Sequence, residues 1–295
     1  MGAVVQCVPN FSEGRNNLTV EAIVKAASEA SAARVIDYSS DPDHNRMVVT
    51  LLGEPADIRY AVLAAAERAI ELIDMRSHSG AHPRIGAVDV IPLVPLRGIT
   101  MGECVDLSYE IGEDIAKKLR VPVYFYEYSA RSSTRRNLAE IRRGGYERLR
   151  DEGMTGERAP DVGPHNIHPT AGATAVGARG PLIAYNVNLD TTDMEICQSI
   201  VQKIRTEKKH EGVKAIAVWL ATQSRVQVSM NLTRPELTPL YEIYDFIKSE
   251  ADKHHVEIQE SEIIGALPAS ALDGVGKAAI KAWRLKETQI LDAWL

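Results

Sequence analysis

Short apolar runs alternate with amphipathic segments along this chain in one repeated order, and that order leaves few folds open. In the first half, Ala3–Val8 reads as a strand and Leu18–Ala30 as a helix with Val20, Ile23, Val24 and Ala27 on one face. Arg34–Tyr38 and Met47–Leu52 read as strands separated by the turn-rich Ser39–Asn45. Pro55, favoured at a first helical position, opens a helix whose apolar stripe is Ile58, Val62, Ala65, Ala69 and Ile73. Ala87–Val94 is the next strand, which completes β-α-β-β-α-β, the ferredoxin-like unit. Thr100 and Glu103 predict a capping box for a helix that turns Cys104, Leu107, Ile111 and Ile115 inward. A strand at Val121–Tyr126 and a basic helix from about Thr134 to Leu149 extend this half.

The second half repeats the plan without repeating the sequence. Pro181–Leu189 is a strand, and Thr192 with Glu195 predicts the cap of a helix carrying Ile196, Ile200 and Ile204. Lys214–Leu220 and Val226–Asn231 are strands, Thr238–Pro239 starts a helix burying Leu240, Ile243, Ile247 and Ala251, and Val256–Ile264 closes the set. The fold class is therefore α/β (α+β), with one ferredoxin-like βαββαβ subdomain in residues 1–179 and another in 180–295. Two such sheets side by side leave a crevice, a common place for ligands.

Composition narrows the function. The 45% apolar and 25% charged content of the 295 residues is that of an ordinary globular protein. A net charge of −6 argues against nucleic acid as a partner, because phosphate neutralisation needs a basic face. The N-terminus lacks the pattern of a signal peptide, and no run approaches the roughly 20 apolar residues of a membrane span. Three widely spaced cysteines, Cys7, Cys104 and Cys197, fit a reduced, cytoplasmic protein.

Chemistry concentrates in Arg76–Pro95, where His78, His82, Arg76 and Arg84 surround Gly80, Pro83 and Gly86 just before the strand Ala87–Val94. Glycine and proline exclude a helix, so these residues occupy a loop fixed at one end by a sheet. A histidine beside fixed positive charge suits proton transfer on an anionic substrate. His82 is preferred to His78 because Pro83 restricts its backbone and Arg84 and Asp89 follow. A metal site built from His78, His82, His165 and His168 is disfavoured, since the spacing fits a helix and the backbone does not; no metal is expected. Asp37, Asp41, Asp43, His44, Asn45 and Arg46 form a polar cluster at a strand end, readable as a simple turn, from which Arg46 stands out as a carboxylate clamp. Arg135, Arg136, Arg142 and Arg143 read as a solvated helix face. Asp161–Gly172, rich in Gly, Pro and His, is long for a mere connection and reads as a functional loop.

Taken in order, Cys7-Val-Pro-Asn-Phe-Ser-Glu-Gly14, Asn45-Arg46, Ile73-Asp-Met75, His82-Pro-Arg84, Asp161-x-Gly-Pro164, Gly172-Ala-Thr174, Gly177-Ala-Arg179, Gln227-Val-Ser229 and Asn231-Leu232 resemble the glutamate formimidoyltransferases over nearly the whole chain. The resemblance implies two subdomains whose sheets face each other across a folate tunnel, helices outside, and a homodimer. It implies transfer of a formimino group from N-formimino-L-glutamate to N5 of tetrahydrofolate, which is a substrate, with no metal. Its catalytic histidine falls on His82, and its folate-contacting loop on Gly163, Pro164, His165, Asn166, Ile167, His168, Pro169, Thr170, Ala171 and Gly172. Ser39 stands where mammalian relatives carry an acid, and Ala171 where they carry a tryptophan. The likeness stops with the transferase region, so a stand-alone transferase without the cyclodeaminase domain is expected. In that reaction an imidazole near its reference pKa of about 6.5 takes a proton from N5 and returns it to the leaving nitrogen. Asp37 or Asp41 would stabilise the amidinium, and Arg46 or Arg84 would anchor glutamate carboxylates. The alternatives are formyl transfer between N-formylglutamate and 5-formyltetrahydrofolate, a folate-binding protein without turnover, and a metal-dependent hydrolase.

Overall fold

Strands of the first half pair into one sheet whose middle member is apolar on both faces. In the computed structural model, which describes residues 2–273, 276 and 278–295, the elements of this half run in order as follows. β1 is Val4–Cys7, β2 Asn10–Phe11, α1 Asn17–Glu29, β3 Arg34–Asp41, β4 Arg46–Gly53, α2 Pro55–Leu72 and β5 Val88–Arg97. Then come α3 Met101–Lys118, β6 Val123–Phe125, α4 Leu138–Ile141, α5 Gly145–Glu152 and β7 Thr174–Ala178. β1 and β2 both lie antiparallel between β4 and β5, and β3 flanks β4. The ferredoxin-like order β3-β4-β1-β5 is thus present, and β7 and β6 add to it in parallel beyond β5. β5 is buried along most of its length, which is why it reads as a continuous apolar run instead of an alternating one.

Helices cover one face of this sheet. Asn16 caps α1 by accepting from the Leu18 and Thr19 amides at 3.1 and 3.3 Å. The alanines of α2 (Ala61, Ala65, Ala66 and Ala69) are buried and let it lie close to α1. The Thr100–Glu103 capping box of α3 is formed as expected, with Cys104, Leu107, Ile111 and Ile115 in the core. On the opposite face, Val90, Tyr124, Tyr126 and Ala175 pack with Ile85, Leu149 and Met154 into a second, smaller core. Farther along that face stand polar side chains, Gln6, Asn10, Asp37 and Thr50, all buried.

The basic helix expected from Thr134 to Leu149 is broken. Ser133–Arg135 is a single tight turn, α4 is capped by the Asn137 side chain, and Gly144 and Gly145 take φ of 83° and 67° before α5. Two consecutive left-handed residues cannot continue a right-handed helix, and glycine makes them accessible. The break carries Arg142 out of any solvated stripe.

The chain divides between Gly180 and Pro181. The second unit comprises β8 Ile183–Leu189, α6 Met194–Thr206, β9 Val213–Leu220, β10 Arg225–Leu232, α7 Leu240–Asp252 and β11 Ile258–Ile264. Its antiparallel order β11-β8-β10-β9 is again ferredoxin-like. The cap of α6 is Asp193, not Thr192, because the Asp193 carboxylate reaches the Glu195 amide at 2.9 Å. The helix-free face carries a linked set of amides: Gln227 donates to Asn188 at 2.8 Å, and Asn188 to Glu260 at 3.3 Å. Among the described residues no helix is long and apolar enough to cross a membrane.

Candidate active site

The loop that carries the histidines is held by the turn between β3 and β4. Asp41 accepts from the His44 amide at 2.7 Å and tightens that turn, and Asn45 adopts a left-handed φ of 46°. Asn45 then serves three partners. It accepts from the Gly14 amide at 3.0 Å, donates to the Ser79 carbonyl at 2.9 Å, and its carbonyl meets His78 Nε2 at 2.9 Å. Gly80 makes the approach possible, since a Cβ there would stand 2.3 Å from the His44 carbonyl oxygen. Ala81 donates to the Asp43 carbonyl at 3.1 Å, and the next residue is His82.

His78 and Arg84 are braces. Arg84 Nε donates to His78 Nδ1 at 3.1 Å, while its two terminal nitrogens grip Glu147 of α5 at 2.8 and 2.5 Å. Arg84, expected from the sequence to anchor a substrate carboxylate, thus gives both terminal nitrogens to Glu147. Burial, above all, lowers the His78 pKa, consistent with a neutral ring bridging Arg84 and Asn45.

His82 has different company. Arg46 Nη1 lies 2.6 Å from His82 Nε2. A guanidinium can only donate, so Nε2 accepts and the proton of the neutral ring sits on Nδ1. Next to Arg46 comes Arg142, the C-cap of α4, whose guanidinium is ion-paired with Asp89. Asp89 owes its position to a β-bulge: Asn10 pairs with Val90 and Phe11 with Val88, so β5 has one extra residue, Asp89, between them. Bulges re-aim side chains, and this one turns a carboxylate at the start of an apolar strand toward Arg142 while it also accepts from the Ile85 amide at 2.9 Å. The His44 ring completes the group, its centroid 6.0 Å from that of His82. Four buried atoms here, Arg46 Nε, Arg142 Nε, His82 Nδ1 and His44 Nε2, have no hydrogen-bond partner among the described residues.

These neighbours set the charge of His82. Burial, then the Arg46 and Arg142 guanidiniums, hold its pKa well below 6.5, with the Pro83 carbonyl acting weakly the other way. The expectation of an imidazole near its reference value is therefore corrected: burial and the two guanidiniums favour the neutral ring. Burial and Arg142 together push even Arg46 down, to about 9, against the opposing pull of Asp89.

Residues 4–179 match the formiminotransferase domain, N-terminal subdomain, and residues 184–289 match the formiminotransferase domain. The chain belongs to the formiminotransferase family. A glutamate formimidoyltransferase from Streptococcus pyogenes serotype M1 is 43% identical over 278 residues, covering 94% of this chain and 93% of that one. Another, from Thermoplasma acidophilum, is 40% identical over 295 residues, with 98% and 96% covered. The formimidoyltransferase-cyclodeaminase of Rattus norvegicus is 39% identical over 279 residues, which is 92% of this chain and 51% of that protein.

Several of the motifs that carry the formiminotransferase likeness meet in the first unit. The loop 163–172 returns to β5 beside the His82 loop: Gly172 bridges Gly86, and Ala87 donates to the Ala171 carbonyl at 2.8 Å. Met75 donates to the Thr170 carbonyl at 2.8 Å, tying Ile73–Met75 to the same loop. His168 closes the loop on itself, accepting from the Ala171 amide at 3.0 Å. Gly163, His165, Asn166 and Pro169 are exposed, Pro164, Ile167, His168 and Thr170 half-buried, and Ala171 and Gly172 buried. Asp41 is engaged in the turn and Asp37 is buried on the helix-free face. Sequence reasoning placed Arg142 and Arg135 on a solvated face, whereas both form ion pairs with buried acids, Asp89 and Asp161. The available signal was the acids themselves. A carboxylate inside the run Ala87–Val94 requires a cation, though only the fold says which.

Proposed function

We propose that this chain transfers the formimino group of N-formimino-L-glutamate to N5 of tetrahydrofolate, giving 5-formiminotetrahydrofolate and L-glutamate. Family membership and the names of the Streptococcus pyogenes and Thermoplasma acidophilum relatives support the reading. The observation that carries it in this chain is His82: a buried imidazole, gripped at Nε2 by Arg46, on a loop tied at both ends.

The donor is an amidine, largely protonated near neutral pH, so its carbon is electrophilic. N5 forms a bond to that carbon, and the bond from carbon to the glutamate nitrogen breaks. His82 takes the proton leaving N5 and delivers it to the departing nitrogen, a contribution of about 10²–10⁴ in rate. Holding two substrates in contact contributes more, because it replaces a bimolecular encounter by a positioned one. Gly163–Gly172 is the segment we assign to the folate, supported by its docking onto the strand entry beside the His82 loop. Tetrahydrofolate is consumed as a substrate and no step calls on a metal ion. The same reading takes the protein as a cytoplasmic homodimer; three buried cysteines without disulfides support the reducing compartment, and the family likeness supports the dimer.

The test is a donor comparison with tetrahydrofolate as acceptor, followed spectroscopically for the N5 adduct. Formiminoglutamate is expected to be turned over in preference to formylglutamate, and His82→Ala to lower kcat by about 10²–10⁴. Near-wild-type turnover by that variant would remove His82 from the chemistry.

A further inference from the structure

Beside His82, two guanidiniums share one carboxylate. Asp89 pairs with Arg142, while Arg46 makes its hydrogen bond to a neutral ring and not to an acid. Both arginines keep a buried Nε without a hydrogen-bond partner among the described residues, and so do His82 Nδ1 and His44 Nε2. Native interiors pair nearly all such atoms, so two neighbouring guanidiniums that each keep such an Nε indicate a place that an anion completes. Arg84 gives both terminal nitrogens to Glu147, whereas Arg142 reaches Asp89 through Nη2. The Arg142 side chain keeps 13% of its exposure.

We propose that Arg142 and Arg46 together bind a carboxylate of the amino-acid donor, and that Asp89, aimed by its bulge, positions Arg142 for this. The proposal rests on the formimino-transfer reading and names the residue that recognises the donor. A planar guanidinium fork matches a carboxylate in two parallel hydrogen bonds, which a lysine cannot reproduce. The arrival of the carboxylate has a second effect. Arg46 now covers Nε2, the lone pair that His82 needs as a base. A carboxylate that draws the Arg46 fork toward itself uncovers Nε2 and offsets the positive charge that disfavours an imidazolium. Donor binding and activation of the base become one event.

The experiment compares the wild type with Arg142→Lys, Arg142→Gln and the paired change Asp89→Asn with Arg142→Gln, which removes both members of the ion pair. Each is assayed with N-formimino-L-glutamate and with its two mono-amides, N-formimino-L-glutamine and N-formimino-L-isoglutamine. The wild type is expected to favour the diacid over one mono-amide by about 100-fold in kcat/KM, because a buried polar site rejects a ligand that leaves it unpaired. The variants should reduce that preference to about 3-fold or less, through KM for the donor, with KM for tetrahydrofolate within about 2-fold. Arg142→Lys keeps a cation opposite Asp89, so its loss of preference is not a loss of folding. A preference for the diacid undiminished in Arg142→Lys and Arg142→Gln, or no preference in the wild type, overturns the proposal. Calorimetric titration with L-glutamate separates the two readings: if no donor is turned over at all, the reaction assignment fails. The clamp then stands if the wild type binds L-glutamate and Arg142→Gln does not, and falls if both bind alike or neither binds.

Discussion

His82 sits where its neighbours oppose charge, and the direction of that opposition has kinetic consequences. Facing the ring are Arg46 from β4, Arg142 from the end of α4, His44 from the β3–β4 turn and the Pro83 carbonyl; burial and the two guanidiniums dominate. A histidine whose pKa is lowered stays in its basic form as pH falls past 6.5. The acidic limb of kcat/KM that belongs to the free protein should therefore lie below pH 6.5, and Arg46→Met should move it upward by removing one opposing cation. A pH–rate profile of the two proteins checks both statements, and a wild-type limb at or above pH 6.5 would contradict the electrostatics described. The sequence singled this residue out through Pro83 and the surrounding glycines, and its role stays the one proposed. Its protonation was not legible there, because pKa follows from groups that fold beside it, and Arg142 is 60 positions away in the chain.

Elements position this chemistry through two close backbone approaches. At Gly80 the loop meets the β3–β4 turn, and at Gly86 the start of β5 meets residues 171–173. A Cβ at Gly86 would stand 2.1 Å from the Ala173 carbonyl oxygen and 2.5 Å from that of Ala171, both backbone atoms unable to yield locally. Gly86→Ala should consequently cost about 1–3 kcal/mol of stability, as overpacking does, and lower kcat by loosening both loops. Urea denaturation with parallel kinetics measures this; an unchanged midpoint would show that the two loops do not depend on one another. Elements with local punctuation were readable in advance. The Thr100–Glu103 box marked α3 correctly, since it is satisfied by residues three positions apart, and Pro55 marked α2 by fitting a first helical position. The basic helix was misread because its charge pattern is periodic across Gly144 and Gly145, whereas backbone conformation there is left-handed. The bulge at Asp89 left no mark at all, because it is defined by the register of β2 against β5.

Across the molecule, histidines with depressed pKa values should make stability sensitive to mild acid. His44, His78, His82 and His168 in the first unit and His210 in the second are all lowered, with burial the largest cause in each. The unfolded chain takes up protons near pH 6.5 that the folded chain refuses, so stability is fully present above that pH and declines below it. For a buried group such as His82 the slope is about 1.4 kcal/mol per pH unit, until its folded pKa is reached. Lowered carboxylates such as Asp74 and Glu147 act in the same sense only below about pH 4.5, nearer their own unfolded values. Unfolding midpoints compared at pH 7.5 and 5.5 should fall, less steeply in His82→Gln, and a flat response would show that these rings are solvated. Apolar periodicity by itself determined the two βαββαβ units, because strand and helix order follows from which side chains must leave water. The sequence motifs likewise led to the family. Only the tertiary structure decided that Arg142 and not Arg84 accompanies Arg46, since an arginine's partner depends on which acid is brought within reach, and Glu147 and Asp89 are delivered by a helix break and a strand bulge that no periodicity encodes.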